Sequence, residues 1–69
     1  MDIHTLNAVI ARLQKDVNMC NELMQLANKR GDEDVTSMWI YAKIQAQHSL
    51  NAVSSMLDDE LEARDREAA

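Results

Sequence analysis

His4, Cys20 and His48 supply the imidazole and thiol groups of this chain, the residue types that could hold a metal or carry a nucleophilic reaction. Their separations fit neither a zinc-finger pattern nor two histidines four apart on one helix face, so no metal centre and no cofactor site are expected. His48, flanked on a helix by Gln45 and Asn51, reads as a solvated histidine. Cys20 falls on an apolar stripe, where a thiol behaves as a small hydrophobe rather than a nucleophile. Carboxylates crowd at Asp58, Asp59, Glu60 and Glu62. Two-carboxylate hydrolysis needs the pair held across a pocket, and metal-assisted hydrolysis needs ligands from several elements, neither of which a short helical chain supplies. A charged, solvated helix end accounts for these acids, and the chain is expected not to be an enzyme. The tripeptide Arg30-Gly31-Asp32 spells the adhesive motif that integrins read, but its place between two helices makes turn formation a sufficient explanation.

A different polar pattern recurs at Asn7, Gln14, Asn21 and Asn28, one amide every seven residues. These amides flank the apolar stripe Ile3, Leu6, Ile10, Leu13, Val17, Cys20, Met24 and Ala27, whose gaps alternate between three and four. Such spacing is the seam of a helix that packs on another helix, and amides along its edge can fix the register of the contact.

Gly31 is the single glycine, proline is absent, and the stripe ends just before it. Lys29 and Arg30 stand where cations complement a helix C-terminus, and Asp32, Glu33 and Asp34 stand where acids favour the next helix's start. The expected fold is therefore all-α, one two-helix antiparallel hairpin over residues 1–69. Helix 1 is expected over about 3–30, a turn at 30–34, and helix 2 over about 34–64, capped by Asp34 and followed by a frayed acidic C-terminus. Counting at roughly 3.6 residues per turn, the inner face of helix 2 is Val35, Trp39, Ala42, Ala46, Leu50, Val53 and Leu57, with Met38, Ser49 and Met56 at its edge. Arg12 with Asp16, Glu60 with Arg64 and Glu62 with Arg66 are spaced to form ion pairs along the helices.

A chain of 69 residues is at most one domain, and one of this size buries only about 60% of its unfolded surface. The lone cysteine cannot close an internal disulfide, which favours a reducing compartment and leaves oligomerisation as the expected support. The start MDIHTLNAVIARL lacks the pattern of a secretory signal, and no apolar stretch approaches the roughly 20 residues of a membrane span, so a cytoplasmic location is expected. Seven Lys and Arg against twelve Asp and Glu give a net charge of −5. That balance argues against direct binding of nucleic acid and favours a protein partner with a basic surface.

Both helices hold more apolar residues than one mutual contact uses. Val9, Met19, Leu23 and Leu26 are the extra residues of helix 1, and on helix 2 Ile40 and Ile44 lie across from Val35 with Tyr41 between the two faces. The expected division is as follows. The seam packs helix 1 on helix 2 and on a second copy, so that two hairpins pair as a homodimeric four-helix bundle through Ile3, Leu6, Ile10, Leu13, Val17, Cys20, Met24, Leu50, Val53 and Leu57. Met19, Leu26, Met38, Trp39, Ile40, Tyr41 and Ile44 are then the candidates for binding another protein, with the aromatic pair as anchors and methionines as adaptable filler.

These features point to a small adaptor or inhibitor that occupies another protein's surface. The basic, DNA-contacting face of a transcription regulator is one fitting target, in the manner of phage proteins that antagonise host factors. Arg30 and Gly31 at the turn, followed by Trp39 and the pair Ala52 and Val53, give the chain a general likeness to the short co-chaperones of type III secretion needle proteins. That likeness implies an alternative role, shielding an aggregation-prone helical subunit. A third comparison, with small four-helix dimers that bind RNA on a helix face, is the weakest, because Arg12, Lys15 and Lys29 are too sparse among the acids.

Overall fold

Asp2 opens the first helix from an extended backbone conformation, its side chain accepting the Thr5 backbone N–H at 2.7 Å. This is an N-cap, and it satisfies one of the donors that a helix start leaves open. In the computed structural model, which describes residues 2–68, α1 then runs over Ile3–Lys29 and α2 over Glu33–Ala68. The two helices pack against each other, and no strand occurs among the described residues.

Three residues connect them. Gly31 takes φ +74°, a left-handed conformation that a side chain disfavours, and its N–H donates to the Asn28 carbonyl at 3.1 Å. The Asp32 N–H donates to the Ala27 carbonyl, also at 3.1 Å, which completes a Schellman closure of α1. Asp32 then caps the next helix, its carboxylate accepting the Val35 N–H at 3.2 Å and its carbonyl accepting the Thr36 hydroxyl at 2.7 Å. The cap of α2 is thus Asp32, not the expected Asp34. One residue serves both helix ends, which keeps the turn short and the helices antiparallel.

The far end departs from expectation as well. Instead of fraying after about residue 64, α2 stays helical to Ala68, and Arg66 lies 4.0 Å from Glu62 one turn before it. Arg12 and Asp16 pair at 3.5 Å on α1, whereas Glu60 and Arg64 form no such bridge among the described residues. Glu60 is instead half-buried at the end of the inter-helix seam.

Leu6, Val17, Cys20 and Ala27 are buried along α1, and every other member of the expected stripe is half-buried, so the stripe faces α2 throughout. On α2 the enclosed positions include Thr36, Trp39, Lys43, Ala46, Leu50, Val53, Leu57 and Glu60, again in alternating gaps of three and four, with Ala42, Ser54 and Ala63 half-buried beside them. One of the expected inner residues therefore moves: Val35 is 36% exposed, Thr36 and Lys43 face inward beyond expectation, and Ala42 stays half-buried beside Lys43. The cause is the difference between a 3.6-residue and a 3.5-residue repeat, about 20° for each heptad. Counted back from Leu50 in heptads, the seam falls on Lys43 and Thr36; counted on an ideal straight helix it drifts to Ala42 and Val35.

Candidate protein interface

Packing α1 on α2 yields a rod of 56 × 14 × 14 Å with a radius of gyration of 16.2 Å, against about 11 Å for a compact domain of this length. A rod this thin has two broad sides and little interior. Five hydrophobic residues are buried, while nine large ones are exposed, so most of the apolar side chains that could drive association lie on the surface.

The expected partner-binding residues separate onto different sides. Leu23, Leu26, Val35 and Trp39 line one groove of about 230 Å³ beside the turn, together with Ala27, Arg30 and Asp32. Met19 and Met38 share this side by helical register and are 51% and 54% exposed. Ile40 and Ile44 lie across the seam from it; Ile44 borders Gln47, His48 and Asn51 in a separate groove. Tyr41, 66% exposed, points from the outer back of α2 between the two sides. Trp39 is half-buried and lines the first groove, and so projects less than the exposed Met38 and Ile40 on either side of it.

The residues expected to pack helix 1 on helix 2 and on a second copy are seen here in the first of those two contacts. Leu6, Val17, Cys20 and Leu50 are closed between α1 and α2 of one chain, with Leu6 only 2% exposed. Ile3, Ile10, Leu13, Met24, Val53 and Leu57 are half-buried along the same seam. A heptad stripe is about as wide as one helix–helix contact, and the chain's own hairpin uses it up. Three exposed apolar residues were not expected outside: Val35, Met56 and Leu61. Leu61 is hidden in the sequence among acids, although its place four residues after Leu57 sets it beside the seam.

The two sides also differ in polarity. The amide row of α1 lies on the Ile40 and Ile44 side, and there only Asn21 reaches across, accepting from the Lys43 ammonium at 3.0 Å. Gln14 bonds Asn18 and Gln47 bonds Asn51 within their own helices, at 3.3 and 3.0 Å. From Val35 to Leu57, twenty-three residues, α2 contains one Lys or Arg and no acid. That single cation, Lys43, is the one drawn into the seam, so the outer surface of this segment carries no Lys, Arg, Asp or Glu. Acids gather instead at the turn, Asp32 to Asp34, and beyond Leu57.

No three His, Cys, Asp or Glu side chains among the described residues are grouped to hold a metal ion. Cys20 is a buried free thiol within the seam. No helix of the described residues is long and apolar enough to cross a membrane. Comparison with protein-family models, with curated proteins and with solved structures found no match for this chain.

Proposed function

We propose that this chain is a non-enzymatic protein-binding hairpin, an adaptor or inhibitor that works as a homodimeric four-helix bundle and occupies a basic surface of another protein. The observation that supports it most is the uncharged outer surface of α2 from Val35 to Leu57, on which Met38, Ile40, Tyr41 and Ile44 are exposed while Lys43 is turned inward. Around Trp39, from Met38 to Ile44, α2 is apolar on nearly every side, and such a stretch is ordinarily covered. Exposed aromatic and aliphatic groups supply the anchoring contacts of protein interfaces, and acids at both ends of the rod supply the complementary rim for a basic partner. A transcription regulator's DNA-contacting surface fits that description, and a lone cysteine is compatible with the reducing compartment in which such a regulator works.

The experiment is capture from a relevant lysate with the wild-type chain and with Ile40→Asp and Tyr41→Ala in parallel. The reading expects a partner retained by the wild type, released as salt rises and lost with either substitution. Equal recovery by all three chains, or no partner at all, removes it. The co-chaperone alternative is favoured by the grooves between the two helices, into which a third helix could lie. It expects an isolated chain that is unstable until a helical subunit is added, whereas an adaptor dimer is stable alone.

A further inference from the structure

We infer that the side bearing Met19, Leu23 and Leu26 of α1 and Val35 and Met38 of α2 is the contact between two copies of this chain, and that Ile40 and Ile44 stay outside it. The inference rests on the proposed reading of a self-associating, protein-binding hairpin, and it adds which side performs the self-association.

Register is the first ground. Beside its inner seam, α2 carries a second line at Val35, Met38, Ala42, Gln45, Ser49 and Ala52, ending at Met56, with gaps that alternate between three and four. A helix with two such lines has two helical neighbours, as in a four-helix bundle. The hairpin supplies one neighbour. Ala42, Ser49 and Ala52 are small, which lets a second helix approach closely along the middle of the line.

Composition of the two sides is the second ground. On the inferred side, α1 contributes Met19, Leu23 and Leu26, so both helices present apolar groups around the groove that Trp39 lines, with Arg30 and Asp32 at the groove and Arg12 and Asp16 beside Met19 as its charged margin. The opposite side meets α1 along its amides, which suits a polar or mixed contact instead. The second line of α2 contains no ionised residue up to Met56. Two chains that each carry a net charge of −5 repel one another, and this line shares the neutrality of the α2 outer surface, so charge permits the approach while the apolar groups of α1 choose the side.

Area leaves room for a second copy as the occupant. The chain exposes 5257 Å², whereas a folded monomer of 7.8 kDa exposes about 4,400 Å². The excess of about 900 Å² follows from the rod shape, and it is large enough to contain the roughly 800 Å² that each partner covers in a standard stable interface. A two-fold pairing of this side onto itself would remove that excess with a self-complementary apolar surface, the usual form of a dimer contact.

The test uses the full chain in sedimentation equilibrium at increasing concentration, with iodide quenching of its single tryptophan measured on the same samples. The expected result is a doubling of the 7.8 kDa mass accompanied by a fall in Trp39 quenching, because the partner covers the groove that this residue lines. Ile44→Glu keeps the dimer, and Leu26→Glu weakens it by about tenfold or more. Should Leu26→Glu fail to fold, the quenching of the wild type still decides. A monomer at every concentration, a doubled mass with unchanged Trp39 quenching, or loss of the dimer in Ile44→Glu overturns the inference. A monomer that still captures a partner through Ile40 and Tyr41 leaves the adaptor reading standing, and a Trp39-shielded dimer that captures nothing does the reverse.

Discussion

The Lys43 ammonium donates to the Asn21 side-chain oxygen at 3.0 Å across the helix seam, and it is the one side-chain hydrogen bond that joins α1 to α2 among the described residues. Lys43 occupies a position that a larger apolar residue would fill better, since Leu50 and Leu57 follow it at intervals of seven. Polar residues at such positions lower stability and fix register. Lys43→Leu is therefore expected to raise the urea midpoint, by an amount equivalent to about 1 kcal/mol, as burial of the added apolar group outweighs one half-exposed hydrogen bond. It is also expected to reduce the cooperativity of unfolding, because a helix with leucine at this point can slide. A lower midpoint in Lys43→Leu would show that the bond contributes more than the burial it displaces.

Asp32 closes α1 through its backbone N–H and caps α2 through its carboxylate, so a side-chain substitution opens only the start of α2. Asp32→Ala is expected to cost about 1 kcal/mol, the usual effect of losing an N-cap side chain. Asp34→Ala is expected to change stability by no more than about 0.5 kcal/mol, as a surface substitution without a capping role. Urea unfolding of both variants at one protein concentration separates them. If Asp34→Ala proved the more damaging, the cap would lie where the run of three acids alone had placed it.

The α1 seam was legible because its eight residues are apolar in a helix whose other faces are mostly polar, so spacing and chemistry agree. Around Trp39 they do not. Val35, Met38, Ile40, Tyr41 and Ile44 encircle α2, and apolarity there cannot say which residue turns inward. The choice is made farther along the chain by Leu50, Val53 and Leu57, whose heptad spacing carries Lys43 and Thr36 into the seam and Val35 out of it. The cap was ambiguous for a similar reason. Asp32, Glu33 and Asp34 are equivalent as charges, and only the backbone closure by Gly31 selects Asp32. The candidate interface was read as one patch because residues close in sequence were grouped together, whereas on a helix Met38 and Ile40 point about 160° apart as seen from the axis.

Acid should act on the start of α1. The Thr5 backbone N–H, and then the Thr5 hydroxyl, hold the Asp2 carboxyl below its ordinary value. A carboxylate whose pKa is lower folded than unfolded adds stability above its unfolded value and loses it as pH falls through the folded one. The difference in stability between the wild type and Asp2→Ala is therefore expected to be widest near neutral pH and to narrow once pH drops below the usual aspartate range. Urea midpoints of both chains at neutral pH and near pH 2 measure it. A gap of constant size would mean that the charge on Asp2 contributes nothing and that the cap acts through geometry alone.

Leu6 is the most enclosed large side chain and lies at the end of the rod farthest from the turn. Its replacement by alanine is expected to cost about 3 kcal/mol, the common range for a buried leucine, which is a large share of the stability of a domain this small. The kinetics should show where along folding this contact forms. Helices joined by a short turn meet first beside that turn, since closing the smaller loop costs less entropy, and the partners of Leu6 on α2 are far from it in sequence. Leu6→Ala is thus expected to accelerate unfolding while leaving the folding rate nearly unchanged. Ala27→Gly, in the last turn of α1 beside Gly31, is expected to slow folding instead. Stopped-flow chevrons at matched protein concentration give both rates, and a folding arm slowed by Leu6→Ala in proportion to the lost stability would place the nucleus at the open end of the hairpin.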